Sequence, residues 1–209
     1  VVAGGVLTQS GDVTAGGVVE LTGGGAGIST SGDITTTADA VNYNSDTTLT
    51  GDITVTTANG ALNFDGTLDS DSNARDLTVS GGTGAVTFTG AVGATNALDA
   101  VSITNTGGIT ASSSMAAASV TLDAGTSTDI SLVNDSNAID KLTITSANDV
   151  TVDNGTSTLD IAASSVTGDL TLTSGHASGI TDSGTVTVGG NLAATTDANA
   201  GVINMGTLA

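Results

Sequence analysis

Apolar and polar residues alternate along this chain in short bursts. Ile53-Thr54-Val55-Thr56 and Leu142-Thr143-Ile144-Thr145 alternate with period two, the spacing of a strand that buries one face. The pattern returns at Val13, Ile34, Ile53, Leu77, Val101, Val120, Leu142, Leu170 and Leu192, at intervals of 19 to 28 residues. Repetition with a period above about twenty residues marks a repeat architecture. A second alternating run follows within most units: AVNY (40–43), ALNF (61–64), AVTF (85–88), GGIT (107–110), DISL (129–132) and DVTV (149–152). Gly, Asn, Asp and Ser separate the runs, so each unit is two or more short strands joined by turns.

Such strands can form hairpins of an antiparallel sandwich or coils of a parallel solenoid. A sandwich gives each strand different neighbours and no reason to resemble one another. In a solenoid each strand lies on its counterpart about 4.8 Å below, and like must stack on like. The expected fold is therefore all-β, a right-handed parallel β-helix of about nine coils of about 22 residues. Residues 1–209 form one solenoid domain, expected to be a segment of a longer secreted protein. Tyr43, Phe64 and Phe88 occupy matching places in successive units, which predicts an aromatic ladder inside the coil. The longest interval predicts a loop bulging over 153–169. Gly-Asp recurs at 11, 32, 51 and 168, with Gly190-Asn191 as a variant. Gly would supply backbone freedom at a corner, and the neighbouring Asp would bond to the turn backbone.

Charge narrows the partners. Twenty Asp and Glu20 face only Arg75 and Lys141, a net charge of −19. No cluster of cations exists to displace phosphate counterions, which argues against nucleic acid. The same shortage argues against an anionic membrane surface, and no run of about eighteen apolar residues exists to insert into a bilayer. The absence of Cys excludes disulfides. With two basic residues the chain offers almost no sites to proteases that cut after Lys or Arg, an advantage outside cells. The opening VVAGGVLTQS lacks an initiator Met and a leader, so a fragment or processed product is expected.

Taken together, GDITVTT, LTVSGGTGAVTFTGAVG, VSITNTGGIT and VTLDAGTST resemble the repeats of filamentous-haemagglutinin-like adhesins of two-partner secretion and of autotransporter passenger domains. The resemblance covers nearly the whole chain. It implies a right-handed β-helical shaft, export across a bacterial outer membrane to the cell surface or beyond, and a role in adhesion, aggregation or matrix building.

Candidate chemistry is sparse. Several β-helix families are polysaccharide-active enzymes, a minor alternative here; Arg75 and Lys141 fall about three coils apart, too far to share a site. His176, in TSGHASG, stands in a Gly/Ser loop and is expected to be exposed. No catalytic residue and no organic cofactor are assigned. Calcium is the cation that Asp69, Asp71 and Asp76, and Asp149 with Asp153, would take as oxygen ligands. With Ile53 and Val55 inward, Thr54 and Thr56 point out, as do Thr35 and Thr37, Thr143 and Thr145, and Thr171 and Thr173. Such ranked threonines would suit ice, mineral or glycan. Both termini look like strand instead of cap, so the expected partner at the ends is more chain of the same protein or another copy stacked end to end. The principal expectation is a structural shaft of a secreted or surface adhesin, filament or matrix protein, not an enzyme. The alternative is a binding module that contacts a host or environmental surface.

Overall fold

The computed structural model describes residues 1–104, 107–198, 200–206 and 208–209. Asn105 and Thr106 of the VSITNTGGIT motif lie outside the described residues. Among the described residues the chain is all-β without helix, wound as a parallel β-solenoid. Two sheets run its length, one of ten strands from Val13–Ala15 to Ile203–Asn204 and one of nine from Val19–Leu21 to Leu192–Thr196. Each paired strand runs parallel to its counterpart one coil away, as expected.

The six second-run motifs all fall in the nine-stranded sheet. Its inward column reads Val19, Val41, Leu62, Val86, Ile109, Ile130, Val150, Leu170 and Leu192. A second inward column stacks Leu21, Tyr43, Phe64, Phe88 and Ala111. The Tyr43 and Phe64 ring centroids are 4.5 Å apart with planes 11° from parallel, and those of Phe64 and Phe88 are 5.4 Å apart at 6°. Parallel in-register pairing places each ring over the next at the rung spacing, so the geometry follows from the ladder. Among the described residues no group meets hydrogen-bond geometry with the buried Tyr43 hydroxyl; the neighbouring Thr30 hydroxyl donates to Gln9 Oε1.

The expected first strands from Val13 through Leu142 all lie in the ten-stranded sheet, with a slip of two residues where Ile34 stacks on Val55 instead of Ile53, and the alignment fails beyond. Leu170 and Leu192 belong to the nine-stranded sheet. The loop expected over 153–169 contains two regular strands, Leu159–Ile161 in the ten-stranded sheet and Ser164–Val166 on a third side. That third side changes place along the axis. Near the start, Leu7–Gln9, Ile28–Thr30, Thr47–Leu49 and Leu68–Ser70 stack just before the ten-stranded sheet in each coil. In the middle it merges into long strands, Leu98–Thr104, Ala116–Asp123 and Ala138–Ser146. Near the end, Ser164–Val166 and Val186–Val188 stack just after the ten-stranded sheet instead.

The Gly-Asp corners also differ from expectation. None of Gly11, Gly32, Gly51 and Gly168 has a positive φ; what the last three require is closeness. A Cβ on Gly168 would stand 2.0 Å from Asp149 Oδ1, and one on Gly32 would stand 2.3 Å from the Gly11 carbonyl oxygen. Glycine lets one corner lie directly on the corner below.

Replacing Phe64 by Ala leaves a void between two stacked rings that the rigid coil cannot close, and should cost about 3–5 kcal/mol. Phe64→Leu should cost clearly less, because Leu fills the equivalent column elsewhere at Leu21 and Leu172. Chemical denaturation of the three proteins measures both.

Candidate functional site

The chemistry of this molecule lies in its corners and outward columns. At a corner the main chain leaves the sheet, and its N–H loses the carbonyl partner that a strand would supply. Aspartates of the preceding coil take that role. Asp12 Oδ1 accepts from Asp33 N at 3.0 Å, and Asp33 Oδ1 from Thr54 N at 2.7 Å. Asp52 accepts from Asp76 N at 3.1 Å and Asp76 from Ala100 N at 3.0 Å. At the corner before the nine-stranded sheet, Asp129 accepts from Asp149 N, Asp149 from Asp169 N and Asp169 from Asn191 N, at 3.1, 2.8 and 2.7 Å. Asp46, Asp69 and Asp182 do the same toward Thr67, Thr95 and Gly206. The bond expected within the turn thus reaches the next coil. Asn59 plays the part with its amide oxygen, accepting from Thr83 N at 3.1 Å.

The proposed cation ligands distribute among these bonds. Asp69 accepts from Thr95 N and Asn96 N, and Asp76 belongs to the relay. Asp71 holds Arg75 through both carboxylate oxygens, Nε to Oδ1 at 3.1 Å and Nη2 to Oδ2 at 2.9 Å. Arg75 and the Asn73 backbone N–H together hold the Asp71 carboxyl down at about 2. Asp149 sits in the relay, while Asp153, at the far end of its strand, accepts from Gly155 N at 2.9 Å. Asp153 shares a concavity of about 320 Å³ with Asp135 and Asp197, neither of them among the expected ligands. Among the described residues, no group of three or more His, Asp or Glu is arranged to hold a metal ion.

Two more carboxylates are held in their charged form. Glu20 accepts from the Asn44 and Asn42 side chains, at 2.8 and 2.6 Å, which lowers its pKa. Asp129 is lowered by the Asn148 side chain and then by the Asp149 N–H. Lys141 lies 3.8 Å from Asp160 and three rungs from Arg75 in the ten-stranded sheet, so each cation has its own carboxylate. His176 is exposed, with Nδ1 accepting from Ser178 N.

All eight named threonines avoid the core, but they do not form one array. Thr35, Thr54, Thr56, Thr143 and Thr145 lie on the ten-stranded sheet and Thr37 just beyond one of its strands; Thr171 and Thr173 lie on the nine-stranded sheet. The slip in alignment past Leu142 placed them together. Thr145 falls where the register shifts between Leu122 and Asp123 and so has no partner on that side. What the ten-stranded sheet does carry is two columns of hydroxyls. One runs Thr14, Thr35, Thr56, Ser80 and Thr104, the other Thr54, Thr78, Ser102, Thr121 and Thr143. On the other long sheet, Glu20, Asn42, Asn63, Thr87, Thr110, Ser131, Thr151 and Thr171 form one polar column, tied at its start by Asn63 Nδ2 to Asn42 Oδ1 at 2.6 Å.

No family model, curated protein or solved structure matches this chain.

Two predictions test the corners. Asp149→Ala leaves Asp169 N without its acceptor and should cost about 1 kcal/mol; Asp149→Asn should be nearly neutral, because Asn59 does the same work. Gly168→Ala should cost about 1–3 kcal/mol by overpacking, and less in the Asp149→Ala background, where the clashing oxygen is gone. A double-mutant cycle by denaturant unfolding reads the coupling. Separately, the Asp71 carboxyl should titrate near 2 in a carbon-detected NMR titration. Its folded value lies below the ordinary 3.8, so the ion pair's contribution is full above that value and is lost as pH falls through about 2.

Proposed function

We propose that this chain is a structural shaft, a segment of a secreted or cell-surface adhesin, extracellular filament or matrix protein. The observation that carries this reading is the pair of unbroken parallel sheets. Every coil is bonded to the next along the axis through main-chain hydrogen bonds. A rod built so resists bending and stretching, since deforming it anywhere means breaking a ladder. Nine rungs at about 4.8 Å give roughly 40 Å of length. The placement of charge supports the same use. Carboxylates crowd the corners while the central columns of both long sheets are mostly Thr, Ser and Asn, so the sides of the rod are well solvated. The resemblance to filamentous-haemagglutinin-like repeats fits export to a bacterial surface, and the near absence of Lys and Arg fits life among proteases.

A second use is favoured by one specific observation, the two hydroxyl columns on the ten-stranded sheet. They present a flat, regular, uncharged lattice of Thr and Ser suited to an ordered surface such as ice, mineral or glycan.

Electron microscopy of the native material should show stiff rods or fibres that carry this segment, and antibodies to it should decorate their length. Compact particles without rods would refute the shaft. Thermal-hysteresis and glycan-array assays on the 209-residue chain should be negative; clear activity that Thr78→Lys abolishes would establish the second use instead.

A further inference from the structure

In the middle of the ten-stranded sheet, the two boundaries of one long strand are closed very differently. The strand Ala138–Ser146 pairs on one side with Ala116–Asp123 along nearly its whole length. On the other side its neighbour is broken into Leu159–Ile161 and Ser164–Val166, two strands on different sides of the coil. Direct pairing there is confined to Lys141 with Asp160, Leu142 with Ile161, and an isolated bridge between Ala147 and Val166.

Two buried side chains fill the gaps. Asn154 imitates a peptide unit: its Oδ1 accepts from Ile139 N at 2.8 Å while its Nδ2 donates to the Ile139 carbonyl at 2.9 Å. Its amide also donates to the Thr158 carbonyl at 2.8 Å. Ser164 Oγ accepts from Ile144 N at 3.0 Å and donates to the Ala162 carbonyl at 2.9 Å. Both residues are almost wholly buried, so water cannot replace them without the coil opening. This is the place where the third side of the solenoid moves from one flank of the ten-stranded sheet to the other.

We infer that the boundary between Ala138–Ser146 and residues 159–166 is a built-in yield point in the middle of the rod, which opens under strain before the boundaries on either side of it. Opening here breaks two ladder pairs and two side-chain surrogates, whereas opening at the preceding boundary breaks seven ladder pairs. Local stability follows how much is broken at once. That the joint limits strain in a rod rests on the shaft proposal; that the joint opens first does not.

Hydrogen exchange resolved by residue tests it on the whole chain. The Ile139 and Ile144 amides should exchange at least tenfold faster than those of Leu62 and Val86, whose acceptors are the main-chain carbonyls of Ala85 and Gly108. Asn154→Ala and Ser164→Ala should each speed exchange across 138–146 by a further tenfold and leave 53–88 unchanged. Equal protection at the two sets of amides in the unmodified protein overturns the proposal, and this measurement needs no variant to fold. A uniform loss of protection along all coils in the variants overturns it as well. Absence of rods by microscopy with the exchange pattern intact would remove only the mechanical purpose.

Discussion

A solenoid exists only if one turn of chain can lie flat on the turn beneath it, and here that condition is met or lost at the corners. Strands stack readily because each offers the next a full row of N–H and C=O groups. Corners cannot, since the chain bends there and its polar groups swing off axis. The Gly-Asp pair answers both halves of the difficulty through different coils. Glycine removes the Cβ that would strike the coil below, as at Gly168 over Asp149 Oδ1. Aspartate carries an acceptor to the coil above, as Asp149 does for Asp169 N. At Gly168 and Gly190 the glycine makes room for the previous coil's carboxylate, and that carboxylate satisfies the next coil's amide.

Stacking like on like has a cost that this arrangement controls. Asp129, Asp149 and Asp169 stand one above another in successive coils. Two carboxylates at about 4 Å repel by about 1 kcal/mol in water, less in salt. A hydrogen bond to an ionised group contributes about 1.5–3 kcal/mol, toward the lower figure at a solvated corner. The relay therefore wins where each carboxylate accepts an N–H, and it leaves the protein strongly acidic. The same rule applied to apolar side chains has no such cost: Tyr43, Phe64 and Phe88 gain about 0.5–1.5 kcal/mol per stacked pair beyond the area they bury.

Much of this could be read from the sequence, and the failures share a cause. Alternation and spacing identified a parallel solenoid, its coil count and every motif of the nine-stranded sheet from Val41 to Val152, because inward residues there are bulky and recur in phase. Gly-Asp, in contrast, marks a corner without saying which one. Gly168-Asp169 opens a strand of the nine-stranded sheet, whereas Gly32-Asp33 opens one of the ten-stranded sheet, so alignment by that pair slipped one side of the coil after Leu142. The slip hid Leu159–Ile161 and joined threonines of two sheets into one array. The third side was illegible for another reason: Gln9, Thr30, Thr47 and Ser70 point inward there, and polar residues in the core erase the alternation. Asn154, followed by Gly155, reads as an ordinary turn. Nothing local tells that its amide pairs with a strand fifteen residues earlier.

The distribution of chemistry bears on what such a molecule can be used for. Strict columns spread one kind of group along a line, as the hydroxyls of the ten-stranded sheet show. The two cations are each spent on a carboxylate of their own, and most of the relay carboxylates give an oxygen to the main chain. What repeats without interruption is the ladder itself and the uncharged columns beside it. Selection acting on such a chain therefore has length, stiffness and surface texture to work on. These persist for as many coils as the corners keep glycine and aspartate in place.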